Sequence, residues 1–279
     1  MSAPDPRTTL ARPDLAAAGL EGMVEAARFA RPIAMACPVP ATGIRKALGP
    51  AAEQLDQLLF GEAFDVLETR DGWSWGQARR DGYVGFVDAS ALSSPVPAPT
   101  HWVKALRTAA FSEPNIKSAP VALLSMNALV AEMAREGRFV QVAGSGWIVE
   151  RHLAGFGAWE TDPASVAERF LDAPYLWGGR DSLGLDCSGL VQQSLYACGR
   201  AFPRDTDQQA KQGVGVEAAD LRRGDLVFWR GHVAMMLDEA RIIHANAYRM
   251  AVTIEPLAEA VERTIAGGEG EPTAYRRLG

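Results

Sequence analysis

Cysteine is scarce in this chain of 279 residues. Its three cysteines, Cys37, Cys187 and Cys198, cannot all pair within one chain, and none of them lies in a C-x-x-C spacing. This pattern argues against a disulfide scaffold and against a structural zinc site. We therefore expect the protein to work in a reducing compartment.

Long apolar runs and dense basic clusters are also missing. The 28 basic residues face 34 acidic ones, and no basic patch that would bind nucleic acid or an anionic membrane is evident. No run approaches the roughly 18 apolar residues of a membrane span. A secretory signal needs an apolar stretch of about 7–15 residues, which Asp5, Asp14, Glu21 and Glu25 interrupt here. We predict a soluble, cytoplasmic protein with neither nucleic acid nor membrane as a partner.

The composition fits a globular chain of several domains. Apolar residues make up 48% and charged residues 22%, which is ordinary for soluble proteins. Compact domains usually span about 100–200 residues, so two or three are expected. Residues 14–31 are predicted to form a short helix that Asp14 caps and Pro32 ends. This helix would be the main element of an N-terminal helical arm over residues 1–35.

Alternation with a period of two replaces the helical pattern between Leu58 and Leu92. Short apolar runs are separated there by Asp71-Gly72 and by Asp81-Gly82, pairs that are typical of hairpin turns. This pattern predicts a small antiparallel barrel over residues 36–94.

A proline-rich segment, SSPVPAPT, follows this first barrel as a stiff linker. Beyond it, the run from Glu136-Gly137 to Leu153 repeats the same order of turns and strands in a diverged form. We predict a second barrel of the same type over residues 100–158.

The remaining residues, 160–279, read as helices followed by strands. Asp162-Pro163 is a good helix start, and a second helix is predicted from Asp186 to Gly199. Strands are predicted over residues 225–230, 232–237, 241–246, 250–254 and 273–278. Helices followed by antiparallel strands indicate an α+β domain.

Cys187 begins the second of these helices, in the run L-D-C-S-G-L. The positive end of the helix dipole and free backbone N–H groups stabilise a thiolate there, which predicts a lowered pKa for the thiol. The same N–H groups can hold an oxyanion. The alternative is a small buried apolar cysteine. That alternative fits Cys198 on the apolar face of the helix better than Cys187, whose neighbours Asp186, Ser188 and Gly189 are polar or small.

His232 opens the run G-H-V-A-M-M-L, which has the pattern of an interior strand. A histidine at the mouth of such a strand is either a packed core residue or a base. The helix that begins at Cys187 needs an interior strand to pack on. A base must come within about 2.6–3.2 Å of its nucleophile, and we predict His232 as that base.

His244 is predicted to lie beside His232. If residues 238–240 form a hairpin loop with Leu237 opposite Arg241, the two histidines are diagonal neighbours on one face, about 7–8 Å apart at the backbone. His244 would then fix the tautomer of His232. A slip of one residue would move His244 to the other face.

A cysteine and two histidines are also a zinc-binding combination. Ligand-like spacing is absent here, and no acid stands out as a fourth ligand. We therefore predict a site that needs neither a metal nor an organic cofactor.

Five ordered motifs resemble the NlpC family of papain-like cysteine peptidases over about residues 160–279. They are P-Y-L-W-G-G, D-C-S-G-L, R-G-D-L-V-F, G-H-V-A and I-I-H-A. The resemblance implies a papain-like α+β domain with Cys187, His232 and His244 as the catalytic triad. It also implies that Tyr175, in the first motif, assists near the oxyanion, the alternative being a core aromatic residue.

The front half resembles paired bacterial SH3-like barrels. Together with an NlpC domain it resembles the intracellular γ-D-glutamyl–L-diamino acid endopeptidases that recycle wall peptides. In those enzymes the first barrel walls off the site, so that only peptides with a free N-terminal L-alanine fit. An acid of the first barrel also contacts substrate, and it matches either Glu53 or Glu62 here.

The same resemblance implies a set of substrate-binding residues, Tyr83, Asp186, Ser188, Asp205 and Thr206. Tyr83 and Asp186 match contacts to the substrate amine, and Thr206 departs from a serine of the family while keeping the hydroxyl. The alternatives are barrel packing for Tyr83 and a helix cap for Asp205.

Together, these expectations predict a cysteine endopeptidase that cleaves the γ-D-glutamyl–diamino acid bond of murein peptides such as L-Ala-γ-D-Glu-diamino acid. One rival is an amidase or acyltransferase on another substrate, which differs in what resolves the thioester. The other rival is a catalytically silent wall-binding protein that uses its barrels for adhesion. The paired Cys187 and His232 argue against the silent protein.

Overall fold

The computed structural model describes residues 4–279, and the chain forms two compact units. The first unit ends at Phe156 and the second spans Gly157–Gly279. The fold class is confirmed as an α+β domain preceded by two small all-β barrels. The finer domain boundaries stay predictions. Within the described residues, no helix is long and apolar enough to cross a membrane.

The N-terminal segment does not form the predicted helix. Over the described residues 14–31 it forms two short parallel strands, β1 (Ala16–Ala17) and β2 (Phe29–Ala30), with a 3-10 turn between them. Leu15 packs with Trp75 of the first barrel, so tertiary packing overrides the helical periodicity. Residues 1–3 of the predicted arm lie outside the described residues.

Six antiparallel strands form the first barrel. They are β3 (Ile33–Ala36), β4 (Ala41–Arg45), β5 (Gln54–Leu59), β6 (Ala63–Arg70), β7 (Trp73–Ala78) and β8 (Val84–Asp88), in the sheet order β3-β6-β7-β8-β4-β5. Asp71 and Gly72 both have positive φ, 52° and 79°, which is the conformation of the predicted Asp-Gly hairpin turn. Leu58, Phe64 and Val87 lie in the barrel core.

The second barrel repeats this all-β construction in two sheets. Its strands are β9 (His101–Val103), β10 (Arg107–Phe111), β11 (Pro120–Ser125), β12 (Leu129–Val130), β13 (Glu132–Glu136), β14 (Phe139–Val142), β15 (Gly146–Val149) and β16 (Leu153–Gly155). The sheet orders are β11-β10-β15-β14-β13 and β12-β9-β16. Leu124, Val140 and Ile148 lie in its core.

The second unit contains four helices and eight strands among its residues, all of which are described. They are α1 (Pro163–Glu168), β17 (Arg180–Asp181), β18 (Gly184–Leu185), α2 (Cys187–Ala197), α3 (Thr206–Gln209), β19 (Val214–Gly215), β20 (Leu226–Trp229), β21 (His232–Met236), β22 (Arg241–Asn246), β23 (Ala251–Pro256), α4 (Leu257–Ala266) and β24 (Ala274–Arg277). Six of the strands form an antiparallel sheet in the order β19-β24-β20-β21-β22-β23.

The two predicted helices organise this unit, and an aspartate caps each of them. The carboxylate of Asp162 accepts a hydrogen bond from the N–H of Ala164 at the start of α1, and that of Asp186 accepts one from Gly189 at the start of α2. Helix α2 packs on β21 and β22, which brings its N-terminus to the middle of the sheet. Helix α4 was not predicted from the sequence.

Candidate active site

Cys187 is the first residue of α2, and its side chain lies against the N-terminal end of β21. The residue is only 6% exposed. Its thiol points to the carbonyl oxygen of Gly231, with 4.0 Å between sulfur and oxygen, and the N–H of Val233 also interacts with the sulfur. The sulfur therefore contacts the main chain of the residue before His232 and of the residue after it.

The surroundings of Cys187 favour a neutral thiol. Burial, followed by the negative charge of Asp186, raises the pKa of Cys187 to about 12, although the N–H groups of Val233 and Ser188 and the charge of Arg204 oppose the shift. The expectation that the helix N-terminus lowers this pKa is therefore wrong for the free enzyme. Desolvation outweighs the helix dipole here, and the nucleophile needs a base to lose its proton.

His232 and His244 lie side by side on one face of the sheet. Met235 pairs with Ile243 and Met236 with Ile242, which confirms the predicted hairpin register. The Nε2 atom of His232 lies 2.8 Å from the Nδ1 atom of His244. This contact is the one that the diagonal placement predicts.

The His232 imidazole is held in its neutral form. Burial lowers its pKa to about 3, with further lowering from His244 and Arg263 and a smaller opposing effect of Glu255. A neutral imidazole is the form from which a general base can accept a proton.

Two residues that the sequence interpretation missed continue the row behind His244. The carboxylate oxygen Oε1 of Glu255, on β23, lies 2.7 Å from the Nε2 atom of His244. Arg263, on α4, donates hydrogen bonds to both oxygens of Glu255 at 2.7 and 2.5 Å. Burial opposes the shift, yet the bonds from His244 and Arg263 lower the pKa of Glu255 to about 2.

A signal for Glu255 was available in the pairing of β22 with β23. His244 pairs with Thr253, so Glu255, two residues further on, is its diagonal neighbour on the same face. The strand predicted over residues 250–254 ends one residue short of it.

Tyr175 lies near the nucleophile. Burial, followed by the charges of Cys187 and Asp186, raises the pKa of its phenol. The hydroxyl group therefore stays protonated and can donate a hydrogen bond. Its assistance at an oxyanion stays a prediction.

Asp186 and Ser188, both predicted to bind substrate, are part of a buried network around Arg204. The guanidinium of Arg204 donates to both carboxylate oxygens of Asp186, at 2.9 and 2.6 Å, and to the hydroxyl of Ser188 at 2.8 Å. Asp186 also accepts the N–H of Gly178 at 2.8 Å and that of Gly189 at 2.8 Å. These bonds fix the start of α2, and the substrate contacts of both residues stay predictions.

Asp205 and Thr206 lie directly after Arg204 at the start of α3. Asp205 occupies the N-cap position and Thr206 is the first helical residue. Both are partly exposed. Their contacts with substrate stay predictions.

The residues of the first barrel that were predicted to contact substrate all have partners within the protein. Tyr83 is 3% exposed and belongs to the barrel core, and its contact with a substrate amine stays a prediction. The buried Glu62 accepts a hydrogen bond from Arg80, which also donates to the carbonyl of Asn127 in the second barrel. Glu53 is exposed and pairs with Lys46. The choice between Glu53 and Glu62 stays open.

No metal-binding arrangement accompanies these residues. Among residues 4–279, no group of three or more histidine, cysteine, aspartate or glutamate side chains could hold a metal ion.

Two protein families match parts of this chain. The NlpC/P60 family matches residues 172–265, which include Cys187, His232, His244 and Glu255. The bacterial dipeptidyl-peptidase SH3 domain matches residues 44–92 of the first barrel.

Relatives and a solved structure extend the match over both units. The γ-D-glutamyl-L-lysine dipeptidyl-peptidase of Bacillus subtilis is 28% identical over 74% of this chain and 76% of its own length. Dipeptidyl-peptidase 6 of Lysinibacillus sphaericus is 24% identical over 75% of this chain and 86% of its own length. The crystal structure of an NlpC/P60 family protein from Bacillus cereus shares the fold, with a TM-score of 0.76, 20% identity, and coverage of 88% of this chain and 99% of the other. This chain is therefore a cysteine peptidase that joins an NlpC/P60 domain to an SH3 domain of the bacterial dipeptidyl-peptidase type.

Proposed function

We propose that this peptidase cleaves the amide bond between the γ-carboxyl group of D-glutamate and a diamino acid in peptides derived from peptidoglycan. The observation that carries the proposal is the placement of the Cys187 sulfur against the main chain on both sides of His232, which itself contacts His244. The names of the relatives from Bacillus subtilis and Lysinibacillus sphaericus support a dipeptidyl-peptidase reaction.

The chemistry follows from the neutral pair. His232 accepts the thiol proton of Cys187 as the sulfur attacks the γ-carbonyl carbon, because neither group is ionised beforehand. The N–H groups at the start of α2 and the hydroxyl of Tyr175 stabilise the oxyanion. The imidazolium of His232 then protonates the leaving amine, and a thioester forms on the sulfur. Water hydrolyses the thioester with His232 again acting as the base.

The preferred substrate in this proposal carries a free N-terminal L-alanine, as in L-Ala-γ-D-Glu-diamino acid, and the enzyme acts in the cytoplasm in the recycling of wall peptides. The low cysteine content supports the location.

The test is incubation of the purified protein with L-Ala-γ-D-Glu-diaminopimelate and with its N-acetylated form, followed by mass spectrometry of the products. We expect L-Ala-D-Glu and free diaminopimelate from the first peptide and no cleavage of the second. Equal cleavage of both peptides would refute the free-amine requirement. Cleavage of neither peptide, with the fold intact, would refute the proposed substrate.

A further inference from the structure

Four side chains form a continuous row that starts at His232 and leads away from the nucleophile. His232 on β21 contacts His244 on β22, which contacts Glu255 on β23, which is bound by Arg263 on α4. His244 is 2% exposed, and the side chain of Glu255 is 11% exposed. Water therefore has little access to the two central members of the row.

The hydrogen-bonding capacity of each group fixes the direction of every bond in this row. An ionised carboxylate only accepts hydrogen bonds, and a guanidinium only donates them. Because Arg263 donates to both oxygens of Glu255, Glu255 is the acceptor toward His244. The Nε2 atom of His244 must therefore carry the proton of that bond.

The same reasoning extends one step further, to His232. In a neutral imidazole with a proton on Nε2, the Nδ1 atom is an acceptor. With His244 in this neutral form, its Nδ1 atom accepts from a proton on the Nε2 atom of His232, 2.8 Å away. The proton-free nitrogen of His232 is then Nδ1.

The position of Cys187 agrees with this assignment. Nδ1 is the ring nitrogen nearer to the main chain of a histidine. The sulfur of Cys187 lies against the main chain on both sides of His232, at the carbonyl of Gly231 and the N–H of Val233. The ring nitrogen that does not contact His244 is thus the one on the main-chain side of the ring, the side on which the sulfur lies.

We propose that Glu255, held by Arg263, is a positioning residue that fixes both imidazoles as their Nε2–H tautomers, so that His232 presents a proton-free Nδ1 to Cys187. This inference rests on the proposed roles of Cys187 and His232. In the step that it supports, the S–H bond breaks, its proton moves to Nδ1 of His232, and the Nε2–H bond toward His244 is kept. The positive charge that develops on His232 is stabilised through His244 by the carboxylate.

Glu255→Leu tests the proposal because leucine offers no acceptor to His244. Without that acceptor, the proton of His244 is free to move to Nδ1 and donate toward His232, which then carries its own proton on Nδ1. We expect kcat to fall by about 10–100-fold, as for other residues that orient a functional imidazole, with KM changed less than about twofold.

Glu255→Gln and Glu259→Gln are the matched variants. The amide oxygen of Glu255→Gln still accepts from His244, so this variant should keep the tautomers and recover most of kcat. Glu259 is an exposed carboxylate in the first turn of α4. Its replacement removes a neighbouring charge without touching the row, and kcat should stay unchanged.

Nitrogen-15 NMR of histidine-labelled protein reads the tautomers directly. The chain has only four histidines, and His101 and His152 of the second barrel provide internal references for an intact fold. We expect His232 and His244 to show the Nε2–H pattern in the wild type and in Glu255→Gln, and to lose it in Glu255→Leu.

The proposal is overturned if Glu255→Leu keeps both Nε2–H tautomers or keeps kcat within about twofold of the wild type. It is also overturned if the wild type shows an Nδ1–H tautomer at either histidine. The tautomer measurement needs no substrate, so a wild-type protein that fails to cleave the peptide refutes the proposed function while this inference is still judged by the spectra.

Discussion

Two carboxylates of the second unit, Asp186 and Glu255, each bind an arginine beside the reacting groups, but their other partners differ. Asp186 accepts from backbone N–H groups and from Arg204, which can only donate. Glu255 accepts from the imidazole of His244, in which either ring nitrogen can carry the proton. The first carboxylate therefore determines where the sulfur lies, and the second determines where the protons of the imidazoles lie.

The two ion pairs also differ in their access to water. The side chains of Arg204 and Asp186 are 1% and 9% exposed, whereas that of Arg263 is 26% exposed. Removing one member of a fully buried pair leaves a charge that water cannot solvate. Damage to the Asp186 network should therefore appear mainly as lost stability, and damage to the Glu255 row mainly as lost rate.

Cys187→Ala should have the largest effect on rate, since both clusters act through this sulfur. We expect turnover to fall by at least about 10⁴-fold, because the replaced group is the nucleophile itself. The thermal midpoint should change little, since neither carboxylate loses a partner. Peptide hydrolysis followed by mass spectrometry, with thermal unfolding as the control, checks this. Cleavage at the wild-type rate would refute the assignment of the nucleophile.

Arg204→Met should have the largest effect on stability. It leaves the Asp186 carboxylate buried without its cation, at a cost of about 3–5 kcal/mol. Denaturant unfolding of the variant measures this loss. The matched control is the double variant Asp186→Asn with Arg204→Met, which removes the orphaned charge and should regain part of the stability. If Glu255→Gln destabilised the protein as strongly as Arg204→Met, the expected difference in stability between the Asp186 network and the Glu255 row would be refuted.

The part of the site that lies on regular elements was predictable from the sequence. The hairpin loop at residues 238–240 sets the register of β21 and β22, and the register places His232 next to His244. The predicted helix start at Asp186 gave the location of Cys187 at the beginning of α2. In each case a local signal, a turn or a helix start, determined the geometry.

The features that were missed depend on contacts between distant segments. The direction of the Cys187 pKa shift depends on how deeply the sulfur is buried, which a helix start alone does not reveal. Arg263 lies on a helix that was not predicted, and Glu255 lies one residue beyond a predicted strand. The N-terminal segment has helical spacing, yet Leu15 packs with Trp75 of the barrel, and this packing determines its conformation.

The ionisation state of Cys187 gives a third way to compare the clusters. With the thiol pKa near 12 and the His232 pKa near 3, the free enzyme should hold a neutral thiol from about pH 4 to pH 9. A raised thiol pKa means that thiolate forms only as the pH rises toward it. The ultraviolet absorbance of wild type minus Cys187→Ala should show no thiolate step in that range. A step at acid or neutral pH would mean that the imidazole row lowers the thiol pKa by more than burial and the Asp186 charge raise it. A thiolate–imidazolium pair would then form before substrate binds.

Arg263→Met should give the smallest effect and tests how far the Glu255 row extends. Arg263 is partly exposed. Its hydrogen bonds go to the two oxygens of Glu255 and not to either imidazole. The carboxylate should remain ionised without it and still accept from His244, so we expect kcat to fall by only about 2–10-fold. Arg263→Lys keeps the positive charge and should recover part of the loss. Steady-state kinetics on the two variants check this order. A loss in Arg263→Met as large as that in Glu255→Leu would mean that the arginine, rather than the carboxylate's acceptor capacity, determines the tautomers.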